Sequence, residues 1–285
     1  MIPRGFQYIA PSSIETVIEA LATHGESAKV MAGGQSLLAM MKLRLATPQI
    51  IVDLWKVPGL SDITSAGEYI TIGSRATHYD VETSEVLKAK CPLLAEAASL
   101  IGDPQVRNLG TIGGSLAHAD PSADYPPVLV ALGASIKMRG PSGERTIKAE
   151  DFFVNMFVTN IAADELITEV QVPVLPPGTG ASYVKFRRRY NDFGIVTVAV
   201  VIPPSMDSTV AASRVVLGSV TSKPVRARHV EEALTGQRPD AVQLAEASQR
   251  AIIGLESSFS DAEFRLRVTP VNVKRALEIA YSRLQ

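Results

Sequence analysis

Apolar residues near the start of the chain follow the spacing of an amphipathic helix. They recur at i, i+3, i+4 and i+7, at Ile14, Val17, Ile18 and Leu21. The preceding Ser12-Ser13-Ile14-Glu15 is typical of a capping box, and Gly25 predicts the end of the helix. A short strand over residues 29–32, a helix over 35–45 and a buried strand over 50–54 are predicted next. This alternation predicts a small α/β unit over the first 55 residues.

A second unit is predicted to begin with a strand at residues 69–73 and to continue with helices around 79–87 and 92–101. Residues 110–127 are then rich in glycine and proline, and an apolar helix resumes at 128–132. We expect residues 110–127 to form a long loop, and a loop of that length in a compact domain is usually functional.

Prolines and glycines are concentrated around residues 173–180, which predicts a linker. Three β-rich runs follow at 183–188, 195–202 and 213–220, and helices are predicted near 230–234, 242–253 and 270–284. Thr269 is expected to cap the last helix, with Pro270 at its first position. The predicted domains are residues 1–57, 58–176 and 177–285.

Composition and charge exclude several classes of protein. Of the 285 residues, 46% are hydrophobic and 20% are charged, which is typical of a globular protein. The net charge of -1 gives no general attraction for nucleic acid or an anionic membrane. The longest apolar stretch, at 194–203, is far shorter than the roughly 20 residues of a membrane helix. The first residues lack the pattern of a signal peptide, so a cytoplasmic location is predicted.

The single cysteine, Cys91, limits the chemistry that the chain can carry alone. It cannot form an internal disulfide or by itself hold a zinc ion or an iron–sulphur cluster. No metal site is therefore predicted in this chain, and any redox metal would belong to another chain. We expect Cys91 to be a semi-buried thiol and Trp55 to anchor the core of the first unit.

Two glycine loops are the candidates for binding an anion. Ala32-Gly33-Gly34-Gln35-Ser36 lies between a predicted strand and a predicted helix, where backbone N–H groups can approach a phosphate. Thr111-Ile112-Gly113-Gly114-Ser115 is a second loop of this kind. Together they could hold the two phosphates of a dinucleotide from opposite sides. The alternative for each loop is a simple turn, and neither matches the Walker A or Rossmann pattern.

A wider set of segments gives these loops a family context. Besides the two loops they are Arg44-Leu45-Ala46-Thr47-Pro48, Asp103-Pro104-Gln105-Val106-Arg107-Asn108 and Asp120-Pro121-Ser122-Ala123-Asp124. In order and spacing the chain resembles the FAD-binding medium subunits of the molybdenum hydroxylases, the family of xanthine dehydrogenase and aerobic carbon monoxide dehydrogenase. The resemblance implies an α+β protein: an FAD-binding fold of the vanillyl-alcohol-oxidase type with two α/β subdomains, then a C-terminal domain with a three-stranded antiparallel sheet and a helix bundle.

The resemblance also implies a set of FAD contacts and no catalytic residue. The implied contacts are Lys29, Ala32, Gly33, Gly34, Gln35, Ser36, Leu37, Ile101, Thr111, Gly113, Gly114, Ser115, Asp124, Ile167, Lys185 and Phe193. Asp124 would accept hydrogen bonds from the ribityl or pyrophosphate region, or else cap the next helix. Ile101 and Ile167 would touch the flavin, or else be ordinary core residues. Phe193 would stack on the flavin ring, without the hydroxyl of the Tyr that relatives often carry.

The function implied by the resemblance is electron transfer. Substrate would be oxidised at a molybdopterin centre on a large subunit, and electrons would reach FAD in this chain through two [2Fe-2S] clusters on a small subunit. The FAD would pass them to oxygen, a quinone or NAD, and the assembly would be a dimer of heterotrimers. The substrate, whether carbon monoxide, a purine, an aldehyde or an N-heterocycle, would be selected by the large subunit.

Two other functions remain open, a stand-alone FAD-dependent oxidase or reductase and a non-redox nucleotide-binding protein. Two further features also have two interpretations each. The run Arg187-Arg188-Arg189 is either a solvated strand edge or a partner contact. His118 lies in the predicted functional loop and is either a ligand contact or a bystander, while His78 is expected at the start of a helix.

Overall fold

The computed structural model describes residues 2–205 and 209–284. Its first part is a parallel sheet of three strands, β1 (Gln7–Ile9), β2 (Ala28–Met31) and β3 (Ile50–Asp53), in the order β1-β3-β2. Helix α1 (Ile14–His24) and helix α2 (Leu37–Lys42) complete this unit. The predicted α/β alternation is confirmed, although α1 is capped by Ser13, one residue after the expected Ser12, because the Ser13 hydroxyl accepts the Thr16 N–H at 3.2 Å.

The second part is built around an antiparallel sheet of five strands. In chain order its elements are β4 (Ile63–Ala66), β5 (Tyr69–Gly73), α3 (His78–Thr83), α4 (Glu85–Lys90), α5 (Pro92–Ser99), α6 (Pro104–Leu109), α7 (Ile112–His118), α8 (Tyr125–Leu132), β6 (Ser135–Gly140), β7 (Gly143–Lys148), α9 (Ala149–Phe152), β8 (Phe153–Asn155), β9 (Val158–Thr159) and β10 (Leu166–Pro173). The sheet order is β4-β5-β10-β6-β7, and β8 and β9 form a separate hairpin.

The long loop expected over residues 110–127 is wrong, because it contains a helix. Thr111 caps α7 by accepting the Gly114 N–H on its Oγ1 at 3.1 Å. Ile112 and Leu116 are fully buried on the inner face of that helix. The apolar burial and the cap together stabilise a helix across two glycines that would otherwise disfavour it.

The third part is an antiparallel sheet packed against helices. Its elements are β11 (Gly180–Phe186), β12 (Val196–Ile202), β13 (Arg214–Gly218), β14 (Val225–Arg226), α10 (Arg228–Leu234), α11 (Ala241–Gln249) and α12 (Ala262–Ser282). The sheet order is β11-β12-β13-β14. The three predicted strands are thus confirmed, and a short fourth strand of two residues is added to them.

The last helix does not begin at Pro270 as predicted. It begins at Ala262 and encloses Pro270, and the Thr269 hydroxyl donates to the Arg265 carbonyl at 2.7 Å rather than capping a new helix. Thr269, Pro270 and Val273 are all buried. Tertiary packing therefore carries the helix through a proline that lacks one backbone donor.

Among the described residues, three hydrophobic clusters form the core. The largest fills the space under the five-stranded sheet and extends to Tyr183 and Val201 in the third part. Cys91, expected to be semi-buried, is instead fully buried in that cluster as a free thiol. Trp55, in contrast, is 73% exposed, so the expectation that it anchors a core is wrong. After β3, the Asp53 carboxylate accepts the Trp55 N–H at 2.8 Å.

The α+β class is confirmed by this arrangement. The division at residues 57 and 176 stays a prediction. Within the described ranges, no helix is both long enough and apolar enough to cross a membrane.

Candidate functional site

The first glycine loop connects the end of β2 to the start of α2. Gly34 has a left-handed backbone with φ of 69°. The helical hydrogen bonds begin after the loop: the Leu38 N–H donates to the Gly34 carbonyl at 3.0 Å, and the Met40 N–H donates to the Ser36 carbonyl at 3.1 Å. In the part of the chain that the structure describes, no acceptor is bonded to the amides of residues 33–37. Five consecutive donors around a left-handed glycine form a concave cradle suited to an anion.

The second glycine loop has no such free donors. Its four successive amides all donate within the chain: Ile112 to the Ala76 carbonyl at 3.0 Å, Gly113 to the Ser74 carbonyl at 2.8 Å, Gly114 to Thr111 Oγ1 at 3.1 Å and Ser115 to the Thr111 carbonyl at 3.0 Å. The expectation that both loops offer backbone N–H groups to a phosphate is therefore wrong for this one. Ser115 is half-buried, and its hydroxyl is the donor that this turn retains.

The two loops meet directly. A Cβ at Gly33 would lie 1.8 Å from the Leu109 carbonyl oxygen and 2.9 Å from the Gly110 Cα, immediately before Thr111. Backbone therefore packs on backbone, which only glycine allows at this distance. The first and second units present their glycine loops side by side, and Lys29 lies exposed on β2, which leads into the first loop.

Asp124 lies at the centre of a buried polar network that links the second and third parts. Its carboxylate accepts the Tyr183 hydroxyl at 2.6 Å and pairs with the Lys185 ammonium at 2.9 Å. The side chains of Lys185 and Asp124 are only 2% and 3% exposed. Lys185 also donates to the Leu100 carbonyl at 2.9 Å. Asp124 makes no capping bond to α8, so the alternative that it merely caps a helix is wrong.

The electrostatics of this network follow from its burial. Burial raises the pKa of the Asp124 carboxyl, and the ammonium of Lys185 opposes that rise. Burial and the neighbouring Asp124 carboxyl raise the pKa of Tyr183 well above its ordinary value, so this phenol stays protonated and donates. The network is thus a fixed ion pair with a neutral hydroxyl donor, held between a loop and strand β11.

The remaining predicted contacts lie in three different settings. Ile101 is half-buried in the turn after α5. Ile167 is 4% exposed on β10 and belongs to the largest core cluster. Phe193 is 63% exposed in the turn after β11, next to an exposed Tyr190 whose ring lies 4.6 Å from the Arg187 guanidinium carbon.

Sequence reasoning missed a buried pair beneath the second glycine loop. His78 begins α3, as predicted, and its N–H donates to the Gly110 carbonyl at 2.8 Å. Its Nδ1 lies 3.1 Å from the Tyr125 hydroxyl. Burial, reinforced by Arg107, lowers the pKa of His78 to about 4, so the ring is neutral at neutral pH. The sequence signal that could have found this pair is that Tyr125 directly follows the candidate Asp124. The ring of His118, the other histidine considered, packs on the ring of Phe157, with 5.1 Å between the two ring centres.

Comparison with known proteins identifies the family. A sequence model described as the FAD binding domain in molybdopterin dehydrogenase matches residues 4–175, and one described as the CO dehydrogenase flavoprotein C-terminal domain matches residues 181–280. The chain belongs to the FAD-binding medium subunits of the molybdenum hydroxylase family. It is therefore a flavoprotein subunit of an oxidoreductase.

Similar proteins match this medium subunit over almost its whole length. It is 38% identical to the carbon monoxide dehydrogenase medium chain of Hydrogenophaga pseudoflava, covering 99% of both chains. It is 37% identical to the nicotine 6-hydroxylase medium subunit of Paenarthrobacter nicotinovorans, covering 97% of this chain and 98% of that one. A solved structure of carbon monoxide dehydrogenase from H. pseudoflava aligns with a TM-score of 0.97 at 38% identity and covers 100% of both chains.

The residues of this flavoprotein subunit fit the group that its family binds. The cradle at residues 33–37 offers unpaired backbone donors, which suit a diphosphate. The exposed Phe193 offers an aromatic face to a planar ring. Within the described residues, no cluster of His, Cys, Asp or Glu has the geometry of a metal site.

Proposed function

We propose that this subunit is an electron relay, which takes electrons from an iron–sulphur partner onto FAD and passes them to an external acceptor such as oxygen, a quinone or NAD. The observation that carries the proposal is the cradle of free amides at residues 33–37, packed against the second glycine loop. It supplies what a diphosphate needs, namely backbone donors and close approach.

The proposed contacts divide by the part of FAD that they serve. The diphosphate and adenosine side would be held by Lys29, Ala32, Gly33, Gly34, Gln35, Ser36 and Leu37. The second loop would contribute Thr111, Gly113, Gly114 and Ser115, through side chains and surface rather than through the paired amides. Ile101, Ile167 and Phe193 would contact the flavin ring, and Asp124 and Lys185 would form the polar floor between the domains.

Bound FAD would supply the redox chemistry, since it can exchange electrons singly or in pairs. The chain's own residues would bind and orient it. The Asp124–Lys185 pair contributes a buried, charge-neutral floor in which Tyr183 keeps its proton. No residue of the chain is assigned as a general acid or base.

The partners we propose are a small subunit with two [2Fe-2S] clusters and a large subunit with molybdopterin, assembled as a dimer of heterotrimers. Two relatives act on very different molecules by name, carbon monoxide and nicotine, although their medium subunits are similarly close to this chain. That similarity favours substrate selection by the partner.

Titration of the purified chain with FAD tests the proposal. We expect one FAD to bind per chain, with a yellow product, and we expect organic substrates to leave the flavin oxidised until both partner subunits are added. Reduction of the isolated chain by a small organic substrate would favour the stand-alone oxidase or reductase. A chain that takes up no FAD but binds other nucleotides would favour the non-redox alternative.

A further inference from the structure

The turn at residues 100–103, between α5 and α6, is held by cationic side chains on three successive carbonyl groups. Leu100 O accepts Lys185 Nζ at 2.9 Å, with Arg187 Nη1 at 3.4 Å. The next two carbonyl groups, those of Ile101 and Gly102, lie 3.1 and 3.5 Å from Arg107 Nη1. A helix end favours cations at its carbonyls, but here the pattern extends beyond the helix into the turn.

Arg107 is itself fixed in place. It lies on α6 with a side chain only 13% exposed, and its Nε pairs with Glu82 of α3 at 2.8 Å. The ion pair uses one edge of the guanidinium and leaves another for the two carbonyls. Arg107 therefore connects α3, α6 and the turn that carries Ile101.

The carbonyl bonds set the direction of two backbone donors. In a trans peptide unit the C=O and the following N–H point in opposite directions. The N–H groups of Gly102 and Asp103 therefore point away from Arg107, and neither is bonded to an acceptor in the described part of the chain. Gly102 has a left-handed φ of 48°, which brings successive donors towards a common point. The positive charge behind them polarises both peptide groups and strengthens them as donors.

We propose that Arg107 is a positioning residue of the FAD site, which fixes this turn so that the Gly102 and Asp103 amides donate to acceptor atoms at the pyrimidine end of the flavin. This inference rests on the proposed function, which places Ile101 against the flavin ring. Reduction of the ring increases the negative charge on those acceptor atoms. The two polarised donors would therefore hold the reduced form more tightly than the oxidised form and raise the reduction potential.

Four variants of the full chain test this role. Arg107→Gln removes the charge and the carbonyl bonds, and Arg107→Lys keeps a charge but cannot reach Glu82 and both carbonyls together. Glu82→Gln weakens only the ion pair. Arg226→Gln is the matched control, because Arg226 is also a partly buried, ion-paired arginine, 19% exposed beside Glu231, on the short strand β14 and away from the proposed contacts.

We expect Arg107→Gln to raise the FAD dissociation constant roughly 10- to 100-fold. The reason is that the turn would lose its hydrogen bonds to a charged group, and the Gly102 and Asp103 amides would no longer be held in position. Redox titration should show a lower midpoint potential, and visible circular dichroism of the bound flavin should change. Arg107→Lys should give a smaller change in the same direction. Glu82→Gln weakens the ion pair that fixes Arg107, so it should also give a smaller change in the same direction. Arg226→Gln should lower the melting temperature while leaving the dissociation constant and the potential unchanged.

A folded Arg107→Gln or Arg107→Lys chain with parental FAD affinity and potential would overturn the inference. Should Arg107→Gln fail to fold, Arg107→Lys decides. Hydrogen exchange on the FAD-free chain is an independent measurement: loss of the clamp should speed exchange of the Ile101 amide, which bonds the Ala98 carbonyl at 3.1 Å. If the parental chain itself binds no FAD, the proposed function fails, and this exchange result still reports whether Arg107 holds the turn.

Discussion

The two glycine loops are nearly the same in sequence and opposite in what they offer a ligand. In the described residues, the five amides of residues 33–37 are unpaired, whereas every amide from Ile112 to Ser115 is bonded within the chain. The reason lies in the neighbours. The turn after β5 lies beside the second loop, and its Ser74 and Ala76 carbonyls accept the Gly113 and Ile112 N–H groups. Within the ranges that the structure describes, no acceptor is bonded to the amides of the first loop.

Glycine accordingly has a different task in each loop. Gly34 provides a left-handed backbone. Gly113 provides close packing, since a Cβ there would lie 2.6 Å from the Ser74 carbonyl oxygen. Gly33 lies where the two loops touch, because without a side chain it lets the first loop pack on the backbone just before the second. The same dipeptide therefore leaves backbone donors unpaired in one unit and allows close backbone packing in the other.

The largest effect is expected where the loops touch. Gly33→Ala would place a Cβ 1.8 Å from the Leu109 carbonyl oxygen, and backbone cannot yield as a flexible side chain can. We expect a loss of at least about 4 kcal/mol in the free energy of unfolding, measured by urea denaturation, together with loss of FAD binding. Gly5→Ala, with open space around it, is the control and should change stability by less than about 0.5 kcal/mol.

The second loop should also respond to pH through His78. Its folded-state pKa of about 4 lies below its ordinary value of 6.5. Stability is therefore complete above pH 6.5 and is lost as the pH falls towards 4, because the proton binds the unfolded chain more readily. We expect His78 to contribute about 3 kcal/mol to that loss. Urea denaturation from pH 7.5 to 4 should show a shallower pH dependence for His78→Gln, and an unchanged slope would contradict this assignment.

Much of this arrangement was predictable from local pattern. The apolar spacing of Ile14 to Leu21 gave helix α1, and the family segments gave the place of both glycine loops. The pairing of the Ile112 and Gly113 amides was not predictable, because their acceptors are residues 76 and 74, nearly 40 positions earlier. Trp55 was misplaced for a similar reason: an aromatic residue after a buried strand normally packs inward, but here the Asp53 carboxylate holds its N–H and Arg75 lies over its ring at 5.4 Å.

The buried network shows the same limit. Asp124 and Lys185 were candidates by family position, but their mutual ion pair joins residues 61 positions apart and follows from the docking of β11. Tyr183 belonged to no motif, and Arg107 lay in a family segment but had no role assigned to it. Long-range packing decides these contacts, and periodicity along the chain carries no information about it.

A smaller effect should separate conformation from ligand binding at Gly34. Gly34→Ala must hold alanine at φ of 69°, which costs about 1–2 kcal/mol. The nearest obstacle is the flexible Leu38 side chain at 2.9 Å, so the fold should survive. We expect FAD affinity to fall at least about tenfold as the cradle flattens, by fluorescence titration. Gly236→Ala is the matched control, with φ of 76° and open space, and should lose stability alone.

The smallest effect tests the difference between the loops most directly, through the two hydroxyl residues beside the glycines. Thr111 Oγ1 accepts the Gly114 N–H, whereas Ser36 makes no capping bond to α2. Thr111→Ala should therefore lower the free energy of unfolding by about 1 kcal/mol, and Ser36→Ala by less than about 0.5 kcal/mol, both by urea denaturation of the FAD-free chain. Equal losses would mean that the amides after Gly34 depend on Ser36 as those after Gly113 depend on Thr111. The contrast between a free loop and a paired loop would then fail, because both would be ordinary capped helix starts.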